Sequence, residues 1–140
     1  MNKINADDAF LGTWQLQPNL SDYAFGQAPA EGVYRISRYG EGYKFDIAWT
    51  MTEGQQFETG YLGTPDGEQY PYENSQVAEA VSLTRVDELT LDSESFKGGR
   101  RIAYACRELI KNGCRMRVTQ SGETADGVEF SNIAYYQKVD

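Results

Sequence analysis

The side chains that could do chemistry in this chain are limited, because the sequence contains no histidine. Histidine is the side chain that titrates near neutral pH, the commonest metal ligand and the base of Ser-His-Asp arrangements. Acid–base catalysis would therefore depend on carboxylates or tyrosines with shifted pKa values. Asp46, Glu58 and Glu108 are candidates by residue type, but their spacing matches no known catalytic pair. The sequence therefore indicates no catalytic residue, no metal site and no cofactor.

Anion binding is indicated instead by Arg107, in the stretch CRELIKNGCRMRV at residues 106–118. Asn112-Gly113 is a favoured two-residue hairpin turn, and this loop places Arg107 opposite Val118. Because side chains alternate along a strand, Arg107 then shares a face with mainly apolar residues. These residues are Ala103, Ala105, Leu109, Met116 and Val118.

An arginine on an apolar face requires an anion from the protein or from a ligand. A ligand would make Arg107 a binding residue, whereas Asp46 or Glu58 would make it half of an internal ion pair. A third alternative is that this strand face points outward.

The two cysteines, Cys106 and Cys114, are too far apart in this hairpin for a disulfide. They lie several residue pairs apart and point to opposite faces, whereas a disulfide spans at most about 7 Å between Cα atoms. We expect two free thiols, buried or half-buried.

Alternating apolar residues predict the strands that must position these side chains. In YKFDIAWTM, Tyr43, Phe45, Ile47, Trp49 and Met51 share one face. The preceding stretch VYRISR places Tyr34 and Ile36 on one face as well. A turn at Glu41-Gly42 would pair Ile36 with Ile47 and Tyr34 with Trp49.

About ten short strands follow one another along the chain, separated by turn residues. A meander of hairpins closes most simply into a barrel, which removes exposed sheet edges. We therefore predict an all-β fold: one antiparallel up-and-down β-barrel domain of about eight to ten strands, spanning residues 1–140. One or two helical turns are expected within Asn19–Phe25. The remaining strands are predicted at Phe10–Gln17, Gln56–Leu62, Gly67–Tyr72, Ala80–Val86, Glu88–Phe96, Arg100–Ile110, Arg115–Gln120 and Glu129–Lys138.

The net charge of −8 makes nucleic acid and anionic membrane surfaces poor partners. The first ten residues contain no apolar segment typical of a secretion signal. We therefore expect a cytoplasmic protein or, if the chain begins after a removed signal, a periplasmic or secreted one. Composition does not distinguish a monomer from a homodimer.

The stretch AFLGTWQL, residues 9–16, resembles the first strand of the calycin superfamily, which contains lipocalins and fatty-acid-binding proteins. In that superfamily a Gly-x-Trp opens the strand and the indole closes one end of the barrel. The resemblance implies that Gly12 permits a bend or a close backbone approach and that Trp14 is the barrel plug.

Residues 106–122 look like the late hairpin of the fatty-acid-binding family, where an arginine meets the ligand's carboxylate; the corresponding residue is Arg107. AYYQK, residues 134–138, resembles that family's closing strand with its Arg-x-Tyr pattern. Tyr136 matches the tyrosine, but Ala134 occupies the place of the second arginine. The family's two-helix lid does not fit within residues 17–31.

The layout of the whole chain also resembles small bacterial lipocalin-like proteins, from LGTWQLQPNLS through VSLTRVDEL to YYQK. These resemblances favour a barrel that binds a small apolar or amphipathic molecule, a class that includes anionic, fatty-acid-like ligands. Arg107 and Tyr136 would hold the polar end of the ligand. The remaining lining would come from Tyr34, Phe45, Ile47, Trp49, Met51, Met116 and Val118.

Three alternatives stay open at this level. The barrel interior could be filled with side chains, as in many small barrels. The same scaffold could carry an isomerase, cyclase or hydrolase that uses carboxylates or tyrosines. It could also be an interaction module without a ligand, with Tyr61, Tyr70 and Tyr72 exposed on its surface.

Overall fold

The computed structural model describes residues 8–23, 29–72, 78–123 and 127–139. In this part of the chain, short 3-10 helices span Pro18–Leu20 and Lys111–Gly113. The strands are β1 (Gly12–Leu16), β2 (Asp22–Tyr23), β3 (Glu31–Tyr39), β4 (Gly42–Thr50), β5 (Gln56–Gly63), β6 (Asp66–Pro71), β7 (Ala80–Asp87), β8 (Thr90–Lys97), β9 (Arg100–Ile110), β10 (Arg115–Glu123) and β11 (Glu129–Lys138).

The strands form one antiparallel sheet in the order β5-β4-β3-β1-β11-β10-β9-β8-β7-β6, with β2 paired to β11 outside this path. The two end strands, β5 and β6, meet through an isolated bridge between Tyr61 and Tyr72, so the barrel is nearly closed. The prediction of an all-β, antiparallel up-and-down barrel is confirmed. A helix with the length and apolarity needed for a membrane crossing is absent from the described ranges.

The β3–β4 hairpin differs in register from the prediction. Tyr34 pairs with Ile47, Ile36 with Phe45 and Gly32 with Trp49, and the turn consists of Gly40 and Glu41. Gly40 has a φ of +59°, a left-handed conformation that glycine adopts at little cost, and this places the turn one residue earlier. The pairing shifts by two residues, so every side chain keeps its predicted face.

The β9–β10 hairpin has the predicted register, with Arg107 opposite Val118 and Met116 opposite Leu109. Both cysteines are free, as expected, with Cys106 half-buried. Cys114, in contrast, is exposed rather than buried, because it lies in the turn that follows Lys111–Gly113.

The predicted helical turns within Asn19–Phe25 are only partly described. A 3-10 helix at Pro18–Leu20 precedes the short strand Asp22–Tyr23. The prediction of helix is therefore wrong at Asp22 and Tyr23, where pairing with Ile133 and Asn132 of β11 satisfies the backbone in an extended conformation. Residues 24–28 lie outside the described residues.

Large apolar side chains fill one end of the barrel completely, and we call this region the filled end. Trp14 and Tyr43 are fully buried within it, and the Trp14 Nε1–H donates to the carbonyl oxygen of Phe10 at 3.0 Å. The ammonium of Lys138 lies 5.5 Å from the centre of the indole. The other members of the filled end are Phe10, Ile36, Leu83, Leu91, Leu109 and Met116.

A partly buried ion pair closes this end from the N-terminal side. The guanidinium of Arg85 on β7 bonds the carboxylate of Asp8 and lies 4.9 Å from the ring centre of Phe10. The hydroxyl of Tyr43 donates to Asp8 at 2.9 Å and accepts from Arg85 at 2.8 Å. The positive charge of Arg85 is therefore offset within the protein.

The two tryptophans should differ in their contribution to stability. Replacing the fully buried Trp14 by alanine should lower the free energy of unfolding by about 3–5 kcal/mol, because it removes apolar contacts and leaves a cavity. Trp49→Ala, at a half-buried position, is the matched control and should cost less. Urea denaturation followed by circular dichroism measures both. Equal losses would contradict the assignment of Trp14 to the filled end.

The two thiols should differ in reactivity. Burial raises the pKa of the Cys106 thiol to about 12, and a hydrogen bond to Asp92 is the second-largest cause of this rise. Only about one molecule in ten thousand then carries the reactive thiolate of Cys106 at pH 8. A chromogenic disulfide reagent should therefore label the exposed Cys114 quickly and Cys106 slowly. Rapid labelling that persists in Cys114→Ser would contradict this expectation.

Candidate functional site

A cavity of about 390 Å³ occupies the end of the barrel opposite the filled end. It exists because β8, β9 and β11 present small side chains to the interior at Ser93, Ser95, Ala103, Ala105 and Ala134. Strand alternation directs these residues inward, where larger ones would fill the space. The barrel is therefore filled at one end and hollow at the other. Pro29, Met51, Tyr72 and Gln120 also line the cavity.

Arg107 lies at the floor of this cavity and is 2% exposed. The side chain of Arg107 extends from β9 into the barrel, and its guanidinium contacts residues of three other strands. Nη1 donates to Ser93 Oγ at 2.9 Å, and Nη2 donates to the hydroxyls of Tyr34 at 2.9 Å and Tyr61 at 2.7 Å. The guanidinium also lies 5.0 Å from the ring centre of Phe45, within cation–π distance.

The positive charge of Arg107 has no carboxylate partner among the described residues. Its Nε–H is buried and has no hydrogen-bond partner there. The alternative of an ion pair with Asp46 or Glu58 is wrong, because both lie on outward-facing positions. The side chain of Asp46 is 44% exposed and lies 4.0 Å from Lys44, and Glu58 is exposed.

The tyrosines around Arg107 do not neutralise it. Burial raises the pKa of Tyr61 far above its ordinary value near 10, so its hydroxyl stays protonated. Burial also raises the pKa of Tyr72. An arginine keeps its proton in proteins, so the site holds one positive charge surrounded by neutral oxygen atoms. Such a buried, unpaired charge is costly unless an anion joins it.

Most of the residues predicted to bind a ligand line this cavity. Tyr34 packs edge to face on Tyr136, with ring centres 5.1 Å apart, and both line the cavity with Arg107. The predicted lining residues Trp49, Val118, Ile47 and Met51 are also part of the wall.

Phe45 and Met116 are placed differently from the prediction. Both are fully buried and neither lines the cavity. They face the interior, as their strand periodicity requires, but they are packed within the core rather than beside the cavity. Phe45 contributes to the floor beneath the guanidinium of Arg107.

The predicted barrel plug, Gly12 and Trp14, lies at the other end of the barrel. Gly12 has a φ of +138°, which strongly favours glycine. Trp14 is fully buried there. Neither residue lines the cavity.

Sequence reasoning missed three side chains of the site: Tyr61, Tyr72 and Ser93. The interaction-module alternative requires an exposed Tyr61, but this side chain is 4% exposed. Its ring stacks on Phe45 with centres 4.7 Å apart, and the two residues are paired across β4 and β5. The pairing of β4 with β5 is the signal that could have found Tyr61. Ser93 carries no such signal, because nothing in its neighbourhood distinguishes it from a surface serine.

The candidate catalytic carboxylates lie away from the cavity. Glu108 pairs with Arg117 across the hairpin at 3.0 Å, as expected, and both point outward. The lining within the described ranges contains no aspartate, glutamate or cysteine. These ranges also contain no cluster of three such residues arranged to hold a metal ion.

Known protein families and curated protein sequences give no match to this chain. Two solved structures match it in fold over most of its length. The zebrafish ileal bile acid-binding protein, in complex with cholic acid, is 14% identical with a TM-score of 0.57, covering 94% of this chain and 99% of the other. The siderocalin Ex-FABP, described as functioning through dual ligand specificities, is 14% identical with a TM-score of 0.44, covering 94% and 71%. The chain therefore has the same barrel fold as the zebrafish bile acid-binding protein.

Proposed function

We propose that this protein binds a small amphipathic anion inside the barrel and that Arg107 holds the charged group. The observation that carries the proposal is a buried guanidinium without a carboxylate partner, facing a cavity of about 390 Å³. Ligand pockets commonly have volumes of about 300–1,000 Å³ and combine apolar walls with a few polar groups. The cavity fits that description.

The charge of the site favours a monoanion. The cavity lining contributes one positive charge within the described residues, and the chain as a whole has a net charge of −8. One negative charge would neutralise the guanidinium, whereas a second would remain uncompensated in an apolar environment. A carboxylate or a sulfonate fits this requirement better than a phosphate monoester.

The hydrogen-bonding groups at the floor of the cavity also favour an anion. The hydroxyls that accept from Arg107 have protons of their own to donate, of which one is used between Ser93 and Tyr61, and the arginine Nε–H has no partner among the described residues. The cluster therefore offers donors to a ligand. An ionised carboxylate is acceptor-only and matches such a cluster, whereas an amide or an alcohol brings donors that find fewer partners.

The contrast between the buried Arg107 and the half-buried Arg85 supports a ligand-binding role. Arg85 at the filled end bonds Asp8, so the protein provides its counter-ion. Arg107 has only Ser93, Tyr34 and Tyr61. The zebrafish bile acid-binding protein, which was solved with cholic acid, has the same fold. An acid in the barrel would complete the environment of Arg107.

The alternative functions have less support. An enzyme that uses carboxylates would need one in the cavity, and the described lining has none. An interaction module built on Tyr61, Tyr70 and Tyr72 would need these rings exposed, but Tyr61 is buried and the other two are half-buried. No specific observation favours either role.

Removing the charge of Arg107 should abolish tight binding. Arg107→Met keeps a long apolar side chain without the guanidinium, and it should raise the Kd for dansylaminoundecanoic acid at least about 30-fold, because truncating a buried charge pair costs about 2 kcal/mol or more. Titration followed by dansyl fluorescence measures this. Arg35→Met, at an exposed position, is the matched control and should leave the Kd unchanged.

A second variant separates lost binding from lost folding. Ala105→Leu leaves Arg107 in place but fills part of the cavity, so it should weaken binding without lowering the free energy of unfolding. Absence of saturable binding to the unmodified protein would overturn the proposed function. Equal affinity in Arg107→Met would show that Arg107 is not the anchor.

Binding should persist into alkaline solution. The pKa of Tyr61 is raised by burial, so this hydroxyl stays neutral as the pH rises through the ordinary tyrosine range near 10. If a phenolate formed there instead, it would neutralise Arg107 and expel the anion. We expect an almost constant Kd from pH 7 to about pH 10. Loss of affinity in step with tyrosinate absorbance would contradict this expectation.

A further inference from the structure

Hydrogen bonds within the protein use most of the donors of Arg107. A guanidinium has five N–H groups. Nη1 donates one of them to Ser93, and Nη2 donates both of its own, to Tyr34 and Tyr61. The donors left for another group are one N–H of Nη1 and the Nε–H, which has no partner among the described residues.

The donors that remain do not form a fork. A carboxylate that binds an arginine through both oxygens needs two parallel N–H groups on one edge of the guanidinium. The two edges that can serve are Nε with Nη2 and Nη1 with Nη2, so both require a hydrogen of Nη2. Because Tyr34 and Tyr61 engage both hydrogens of Nη2, Arg107 gives an anion only single N–H contacts while these bonds are intact.

Single contacts of this kind suit a spherical anion. A halide ion accepts hydrogen bonds from any direction, whereas a planar carboxylate gives up the second bond of a fork. The hydroxyls around Arg107 add donors of their own, of which one is used between Ser93 and Tyr61. Isolated N–H and O–H donors are therefore available to an ion that needs no fixed geometry.

The surroundings of the guanidinium favour a weakly hydrated anion with one charge. Arg107 is 2% exposed and lies 5.0 Å from the ring centre of Phe45, so an ion that joins it leaves most of its water behind. This loss costs more for fluoride, which is small and strongly hydrated, than for chloride, bromide or iodide, and more again for a dianion such as sulfate. The net charge of −8 also repels multiply charged anions.

We infer that Arg107 binds a halide ion from solution, such as chloride, and that an organic acid must displace this ion from the site. The halide neutralises the guanidinium when the cavity holds no other anion. Halide binding requires only the buried arginine, whereas the displacement step rests on the proposed function. The affinity for the organic acid then falls as the chloride concentration rises at constant ionic strength, so the medium regulates the site.

The nuclear magnetic resonance line of chloride tests the halide site. Exchange between solution and a protein site broadens this line, and the broadening should fall at least about fivefold in Arg107→Met, which lacks the charge. Arg35→Met, at an exposed position, is the matched control and should keep the broadening. Iodide and bromide should displace chloride, and fluoride should not.

Urea unfolding covers the case in which exchange is too slow to broaden the line. Because a bound ion stabilises the folded protein, chloride should raise the free energy of unfolding relative to fluoride at the same ionic strength. Arg107→Met should lose this difference. Equal chloride effects on the unmodified protein and on Arg107→Met by both measurements would overturn the halide site.

Tyr61→Phe tests whether the engaged hydrogens of Nη2 prevent a fork. The variant keeps the ring that stacks on Phe45 but frees one of these hydrogens, so acetate should displace chloride about fivefold better than from the unmodified protein. Tyr72→Phe, which changes another tyrosine of the cavity wall, is the matched control and should leave the ratio of acetate to chloride affinity unchanged. An unchanged ratio in Tyr61→Phe would overturn the preference for a spherical anion.

The dansyl probe separates the displacement step from the proposed function. When chloride replaces fluoride from about 10 mM to about 500 mM at constant ionic strength, the apparent Kd for dansylaminoundecanoic acid should rise at least about fivefold. The Kd for phenylnaphthylamine, an uncharged dye, should not rise. A constant Kd for the dansyl acid would overturn the displacement step while the proposed function stands. If chloride binds at Arg107 and the dansyl acid does not bind at all, the proposed function fails and the halide site stands.

Discussion

A guanidinium buried without a carboxylate is the constraint around which the hollow end of this barrel is organised. Arg107 donates to Ser93, Tyr34 and Tyr61, so one side chain from β9 connects three other strands across the interior. These bonds hold the side chain in place but do not offset its charge, because neutral hydroxyls supply only dipoles. The fold therefore maintains a fixed positive charge at the floor of a cavity, which is the arrangement that anion binding requires.

The packed core and the cavity lie at opposite ends of the barrel. Large side chains such as Trp14, Tyr43 and Leu109 pack without space at the filled end, and the Asp8–Arg85 pair closes it. Small side chains on β8, β9 and β11 leave the other end hollow. Because burial of apolar area is the main stabilising contribution to folding, the filled end can support a cavity whose lining contributes less.

Part of the site followed from the sequence because the necessary information was local. The register of the β9–β10 hairpin depends on its turn residues, and it placed Arg107 on the inner face correctly. The place of Tyr61 in the site did not follow from the sequence, because its environment depends on β4 lying beside it. Phe45 and Met116 were assigned the correct face but the wrong level, since strand periodicity says nothing about depth along the barrel.

The sequence by itself determined the all-β architecture, the direction in which most side chains point and the absence of histidine chemistry. These follow from composition, alternation and turn residues, which act over a few neighbouring positions. Only the tertiary structure decided that the barrel is filled at one end and hollow at the other, and that the carboxylates Asp46 and Glu58 lie away from Arg107. Packing and charge pairing join residues distant in the chain, so they appear only when the sheet has closed.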